Sequence, residues 1–186
     1  MSLGITEKGS DGLFDNEIEF HGKYATMARE LKEEIGVFTT LREAYVTSAI
    51  IGFLNGRQDT NEDVVDDTNN PASIFPNEIS KRKLDLRFIY RLMMLLKEED
   101  SYSLDDYRDR AFKDDPEEHA ETLKENMKVF NSYACGGLEL LYERFSQFNN
   151  VDDLVDSVYE FIHELSVASD LIADDDELPD FAPTFD

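Results

Sequence analysis

Several stretches of this chain carry residue types that could do chemistry, and each lacks part of the constellation that chemistry needs. Glu160-Phe161-Ile162-His163 has the Glu-x-x-His spacing that puts both side chains on one helix face, as in dinuclear metal bundles. Such a site needs a second pair and two further carboxylates, and one copy alone reads as an ordinary helix face. Asp59-Thr60-Asn61-Glu62-Asp63 begins like a calcium-binding loop, but Val64 replaces the turn glycine and Asn70 the bidentate glutamate. The run Asp174-Asp175-Asp176-Glu177 would hold divalent cations only loosely. Cys135 lies among small residues and reads as a packed, inert thiol rather than a low-pKa nucleophile. His21 and His119 stand in no motif with a nucleophile, and Gly52-Phe53-Leu54-Asn55-Gly56 lacks the lysine and hydroxyl of a phosphate-binding loop. The expectation is a protein that is not an enzyme, with no catalytic residue, metal ligand set or cofactor.

The elements that would position these residues read as helices. Tyr24, Met27, Ala28, Leu31 and Ile35 form an apolar stripe over residues 23–35, stopped by Gly36. Thr40-Leu41-Arg42-Glu43 has capping-box order and opens a helix to Asn55 that is apolar almost all round, so it should be central. On it Ala44, Ser48 and Gly52 make a ridge of small side chains where another helix could come close. A helix over 80–98 is expected to bury Leu84, Phe88, Leu92, Leu95 and Leu96. Ser103 opens a short helix to Phe112, and Asp115-Pro116 starts a long one. In the long helix Met127, Phe130, Ala134, Leu138, Leu141, Phe145 and Phe148 keep helical phase through Gly136-Gly137. Each mid-helix glycine costs about 1 kcal/mol relative to alanine, so the pair implies a packing demand, a close crossing against the small ridge. Asn150 caps a last helix, 151–167, with Leu154, Val158, Phe161, Ile162 and Leu165 facing inward.

These elements predict an all-α protein, a compact single-domain helical bundle of about five or six helices. The expected organisation is a flexible arm over 1–18, a helical domain over 19–168 interrupted by an acidic loop over 58–76, and an acidic tail over 169–186.

Charge narrows the function. The chain has 42 acidic and 18 basic residues, a formal net charge of -24, which opposes direct binding to nucleic acid or to anionic membranes and favours a protein partner. Six of the eighteen cations, Lys81, Arg82, Lys83, Arg87, Arg91 and Lys97, concentrate on the 80–98 helix. Lys83, Arg87 and Arg91 repeat every fourth position and are the candidate interaction surface, set against neutralisation by neighbouring carboxylates. A single cysteine allows no intramolecular disulfide and fits a reducing compartment, so the expected location is cytoplasmic. The longest apolar stretch, 44–54, is about half of the roughly 20 residues a membrane span requires.

Two blocks resemble a known family. Gly36-Val37-Phe38-Thr39-Thr40 running into Ala49-Ile50-Ile51-Gly52-Phe53-Leu54-Asn55-Gly56-Arg57, and then Tyr133-Ala134-Cys135-Gly136-Gly137-Leu138-Glu139-Leu140-Leu141, are similar to small Dnd-system-associated proteins, found beside genes for DNA phosphorothioate modification and its linked restriction. The resemblance implies a bacterial cytoplasmic accessory protein of a DNA modification or defence locus, and supplies no catalytic residues. The acidic loop after Arg57 and the acidic tail depart from the pattern. The leading expectation is a non-enzymatic accessory or regulatory interaction protein. The alternatives are an acidic DNA mimic that occupies a DNA-binding partner and, third, a metal-dependent hydrolase. Self-association through a helical face is compatible with all three.

Overall fold

A capping box opens the buried helix around which the fold is built. In the computed structural model, which describes residues 4–8, 12–59, 70–148 and 150–173, the Thr40 hydroxyl accepts from Glu43 N at 3.1 Å. The Glu43 carboxylate accepts in return from Thr40 N at 3.0 Å, so two free backbone donors at the start of α2 (Leu41–Leu54) are satisfied. The helix ends at Asn55 and turns at Gly56, whose φ of +61° suits glycine. Asp115 and Pro116 similarly open α6 (Pro116–Phe145), which is kinked at His119, where the backbone leaves helical geometry.

The two helices cross on glycine. A Cβ on Gly137 would overlap the Ser48 carbonyl oxygen and stand 2.6 Å from Gly52 N. A Cβ on Gly52 would overlap the Tyr133 carbonyl and stand 2.9 Å from Gly137 N, while one on Gly136 would overlap the Arg57 carbonyl. Ala44, Ser48, Gly52, Gly136 and Gly137 are all buried, and the neighbouring Tyr45 hydroxyl donates to Asn131 Oδ1 at 2.6 Å. Around this contact Phe14, Tyr45, Tyr90 and Phe130 pack as an aromatic cluster, with Phe130 centroids 5.7 Å from both Phe14 and Tyr45.

The expectation of an all-α chain is corrected by a small antiparallel sheet. Strands β1 (Ile5–Lys8), β2 (Glu17–Phe20) and β3 (Ala72–Ile74) lie in the order β1-β2-β3, with Thr6 opposite Glu19 and Ile18 opposite Ile74. The described part of residues 1–18 is thus built into the fold, where a flexible arm was expected. Ile5, Leu13, Phe14 and Ile18 are core residues. Phe14 holds a φ of 60°, unfavourable for a residue with a Cβ and sustained here by the burial of its ring. The acidic loop expected over 58–76 is likewise shortened by β3, and its residues 60–69 lie outside the described residues.

Helix α1 (Gly22–Arg29) widens into a π-helical turn over Glu30–Glu34. The helix expected over 80–98 is α4 (Lys83–Leu96), preceded by a short α3 (Pro76–Ser80) and a turn at Lys81-Arg82. Next comes α5 (Leu104–Phe112), capped by Ser103. Its Arg110 donates from Nε to Met94 O at 2.9 Å and from Nη2 to Lys97 O at 2.7 Å, so a buried guanidinium satisfies carbonyls at the end of α4.

The described residues up to Ser146 form one compact unit, and those from Gln147 onward form another. The second unit contains α7 (Val151–Ala173), whose first turn is capped by Asn150 Oδ1 accepting from Asp153 N at 2.8 Å. Ile162, expected to face inward, is exposed. The tail residues 174–186 lie outside the described residues.

The crossing makes two opposed predictions. Gly137→Ala gains helix propensity of about 1 kcal/mol but must push two backbones apart, and should lower stability by about 2 kcal/mol net. Ser48 Oγ is buried with no hydrogen-bond partner among the described residues, so Ser48→Ala should raise stability by about 1 kcal/mol. Urea unfolding of both variants checks the pair, and equal or reversed shifts would refute this account of the contact.

Candidate functional site

Among the described residues the outer face of α4 is one of two exposed apolar stripes of helical period, the other being Val151, Val155, Tyr159 and Ile162 on α7. The residues expected to be the buried stripe of α4 are exposed instead: Leu84 by 81%, Phe88 by 67%, Leu96 by 57%, Leu92 by 42% and Leu95 by 36%. The helix buries Leu86, Tyr90, Met93 and Met94, which lie on the opposite side by their spacing. α4 therefore carries two apolar faces, one spent on the core and one presented outward. Single exposed leucines are ordinary, whereas a contiguous apolar ridge on one helix marks an interaction site.

The cations of α4 are distributed unevenly about this ridge. Lys83 lies toward the core side and pairs with Asp15. Arg82 pairs with Asp85 at 3.2 Å, and Lys97 with Glu99. Arg91 Nη2 meets Asp114 at 2.6 Å, and its guanidinium stacks over Phe112 at 5.3 Å. Arg87 has no ion-pair partner among the described residues, and the Nε atoms of both Arg87 and Arg91 are buried without a hydrogen bond. Of the stripe Lys83, Arg87 and Arg91, two members are neutralised internally and one is left over. Helical spacing puts Arg87 and Arg91 along one edge of the ridge formed by Leu84, Phe88, Leu92 and Leu95.

Cys135 is buried, and burial first, then the Asp59 and Glu139 carboxylates, push its thiol well above the ordinary range, against nucleophilic use. Asp59, at the start of the calcium-loop-like segment, accepts from Lys23 at 3.1 Å and from the Tyr24 hydroxyl. Lys23 also meets Glu139 at 2.5 Å, and Arg57 bridges Glu139 at 3.1 Å and Glu143 at 2.8 Å. Glu160 and His163 lie on α7, and the 174–177 run lies outside the described residues. Among the described residues no group of three or more His, Cys, Asp or Glu is placed to hold a metal ion, and no helix is long and apolar enough to cross a membrane.

The sheet assembles a group that sequence reading missed, because pairing β1 with β2 joins residues far apart in the chain. Thr6 Oγ1 lies 2.8 Å from His21 Nε2, and Glu19 Oε2 lies 3.9 Å from the same nitrogen. A nucleophile-base-orienter relay needs the carboxylate on the other ring nitrogen, and here Nδ1 is buried without a partner among the described residues. Glu19 is instead held by Lys8 at 2.7 Å. The trio therefore has the residue types of a triad without its geometry.

Beside it, a cavity of about 390 Å³ is lined by Thr6, Glu7, Leu13, Leu123, Met127 and Asn131, among others. Burial raises the Glu7 carboxyl from an ordinary value of 4.5 to about 7. The backbone N–H groups of Asn16 and Asp15 lower it only in part, and the Asp15 carboxylate adds to the rise. Between these two values the folded chain keeps a proton that the unfolded chain has released, so stability should fall as pH rises from about 4.5 to about 7 and then level off. Glu7→Gln removes this dependence. Measured by urea unfolding across pH 5 to 8, its advantage over the native chain should grow with pH to about 1–3 kcal/mol. A difference that does not change with pH would refute the assignment.

Comparison with known proteins bears on the whole chain rather than on any one site. The family model described as DNA sulphur modification system-associated protein 4 matches residues 19–175. No curated protein and no solved structure matches the chain. The match takes in α1 through α7, including both blocks that resemble Dnd-associated proteins. The chain belongs to the DNA sulphur modification system-associated protein 4 family.

Proposed function

We propose that this protein is a non-enzymatic accessory or regulatory subunit associated with a DNA sulphur modification system, and that it engages a protein component of that system through the outer face of α4. The observation that carries the reading is the exposed ridge of Leu84, Phe88, Leu92 and Leu95. Fully burying a leucine or phenylalanine contributes about 1.5–3 kcal/mol, so covering four such side chains supplies a substantial part of a specific association. Family membership supports the setting, since the family is defined by association with DNA sulphur modification. The ridge is apolar with a cationic edge, which supports docking on a protein over mimicry of a polyanion by this face.

Phe88→Asp tests the reading because the side chain is exposed, so stability should change by no more than about 0.5 kcal/mol. Expressed in a host carrying the complete modification locus, the native chain should recover a stoichiometric component of that system, and the variant should lose it while unfolding at the same temperature. Recovery of the native chain alone, or full retention of the component by Phe88→Asp, would reject the proposal.

A further inference from the structure

Resting on that reading, we propose a kind of partner: the outer face of α4 receives an amphipathic helix from another protein, with carboxylates along one edge of that helix's apolar stripe. Leu84, Phe88, Leu92 and Leu95 are separated by 4, 4 and 3 residues, a ridge of helical period. At 1.5 Å per residue it extends about 16 Å, or three helical turns, which suits the grooves of a second helix lying along it. A flat ridge of this form gives an extended strand no backbone to pair with, whereas ridge-into-groove packing asks only for side chains.

The edge of the ridge specifies charge. Arg87 has no carboxylate partner among the described residues. Asp114 neutralises Arg91 and leaves Arg87 with unmet charge beside an apolar surface. Docking removes water from this edge and strengthens a facing charge pair. A helix bringing Asp or Glu there is favoured, and one bringing Lys or Arg meets repulsion. Two copies of this chain packed antiparallel on α4 would set the Arg87 and Arg91 edge against itself, with a formal charge of -24 on each copy. The charge layout thus favours an acidic helix over antiparallel pairing of α4 with the α4 of a second copy. At physiological salt screening confines this preference to about 8 Å, so it describes the partner's docking helix and not its overall charge.

The test uses the full chain and two designed, fluorescently labelled helical peptides sharing one leucine stripe, with glutamate along the edge in one and glutamine in the other. Fluorescence anisotropy should show the glutamate peptide binding about fivefold tighter at physiological salt. The difference should disappear in Arg87→Gln, and Phe88→Asp should weaken both peptides. Failure of either peptide to bind, equal affinities, or tighter binding of the glutamine peptide would overturn the proposal. A native dimer in sedimentation that Phe88→Asp dissolves would also overturn it, in favour of a second copy. Loss of the native component by Phe88→Asp without any edge preference among the peptides would remove this inference and leave the accessory role standing.

Discussion

The contact between the backbones of α2 and α6 is the constraint on which the rest of the main unit depends. Two helices ordinarily stay 8–10 Å apart because side chains occupy the space between them. Here Gly52 and Gly137 face each other, and at each the volume a Cβ would fill is taken by backbone of the other helix. The glycines give up helix propensity, and the return is dense packing over the middle of both helices. The approach also sets the distance between their flanks, where Tyr45 reaches Asn131 and Phe130 reaches Tyr45 and Phe14. Substitution at the crossing would therefore be felt in the aromatic cluster as well as at the glycines.

That cluster explains how α4 is anchored while one of its apolar faces is turned to water. Tyr90 packs 6.0 Å from Phe130 and 6.2 Å from Phe14, and Leu86, Met93 and Met94 fill the same side of the helix. Arg110 then closes the end of α4 from α5, with its guanidinium over Tyr102 at 4.9 Å and Tyr107 at 5.3 Å. The helix is held by one aromatic ring, softer side chains and a capped terminus. Nothing in its attachment uses Leu84, Phe88 or Leu92, so these positions can change without touching the core.

Legibility in the sequence divided along the same physical line. The capping box at Thr40, the Asp115-Pro116 start and the helical phase from Met127 to Phe145 are local signals, set within a few residues, and they place α2 and α6. The strands were missed because four residues such as Glu17-Ile18-Glu19-Phe20 hold only two alternations, and their pairing partners lie elsewhere in the chain. For α4 the period was right and the face was wrong. Leu84-Phe88-Leu92 and Leu86-Tyr90-Met93 both satisfy helical spacing, and the preference for the more hydrophobic set rests on the premise that the core takes the greasier face. The Thr6-His21-Glu19 group and the Glu7 cavity were invisible for the same reason as the strands, since their members meet only across β1, β2 and α6.

The misread face also gives the acidity of the chain a physical sense. An exposed ridge of leucine and phenylalanine invites non-specific association, and net charge far from zero opposes it. A formal charge of -24 keeps copies apart at long range while leaving short-range packing available to a fitting partner. Of the six cations over residues 81–97, four are consumed in pairs with Asp15, Asp85, Glu99 and Asp114, so the basic character contracts to Arg87 at the edge of the ridge and Lys81 in the turn before α4. Apolar area gives such a surface its affinity, and a single unmet charge at its edge gives discrimination between partners. On a protein in which seven of every ten charged side chains other than histidine are acidic, a cationic edge beside an apolar ridge is a feature that folding does not explain.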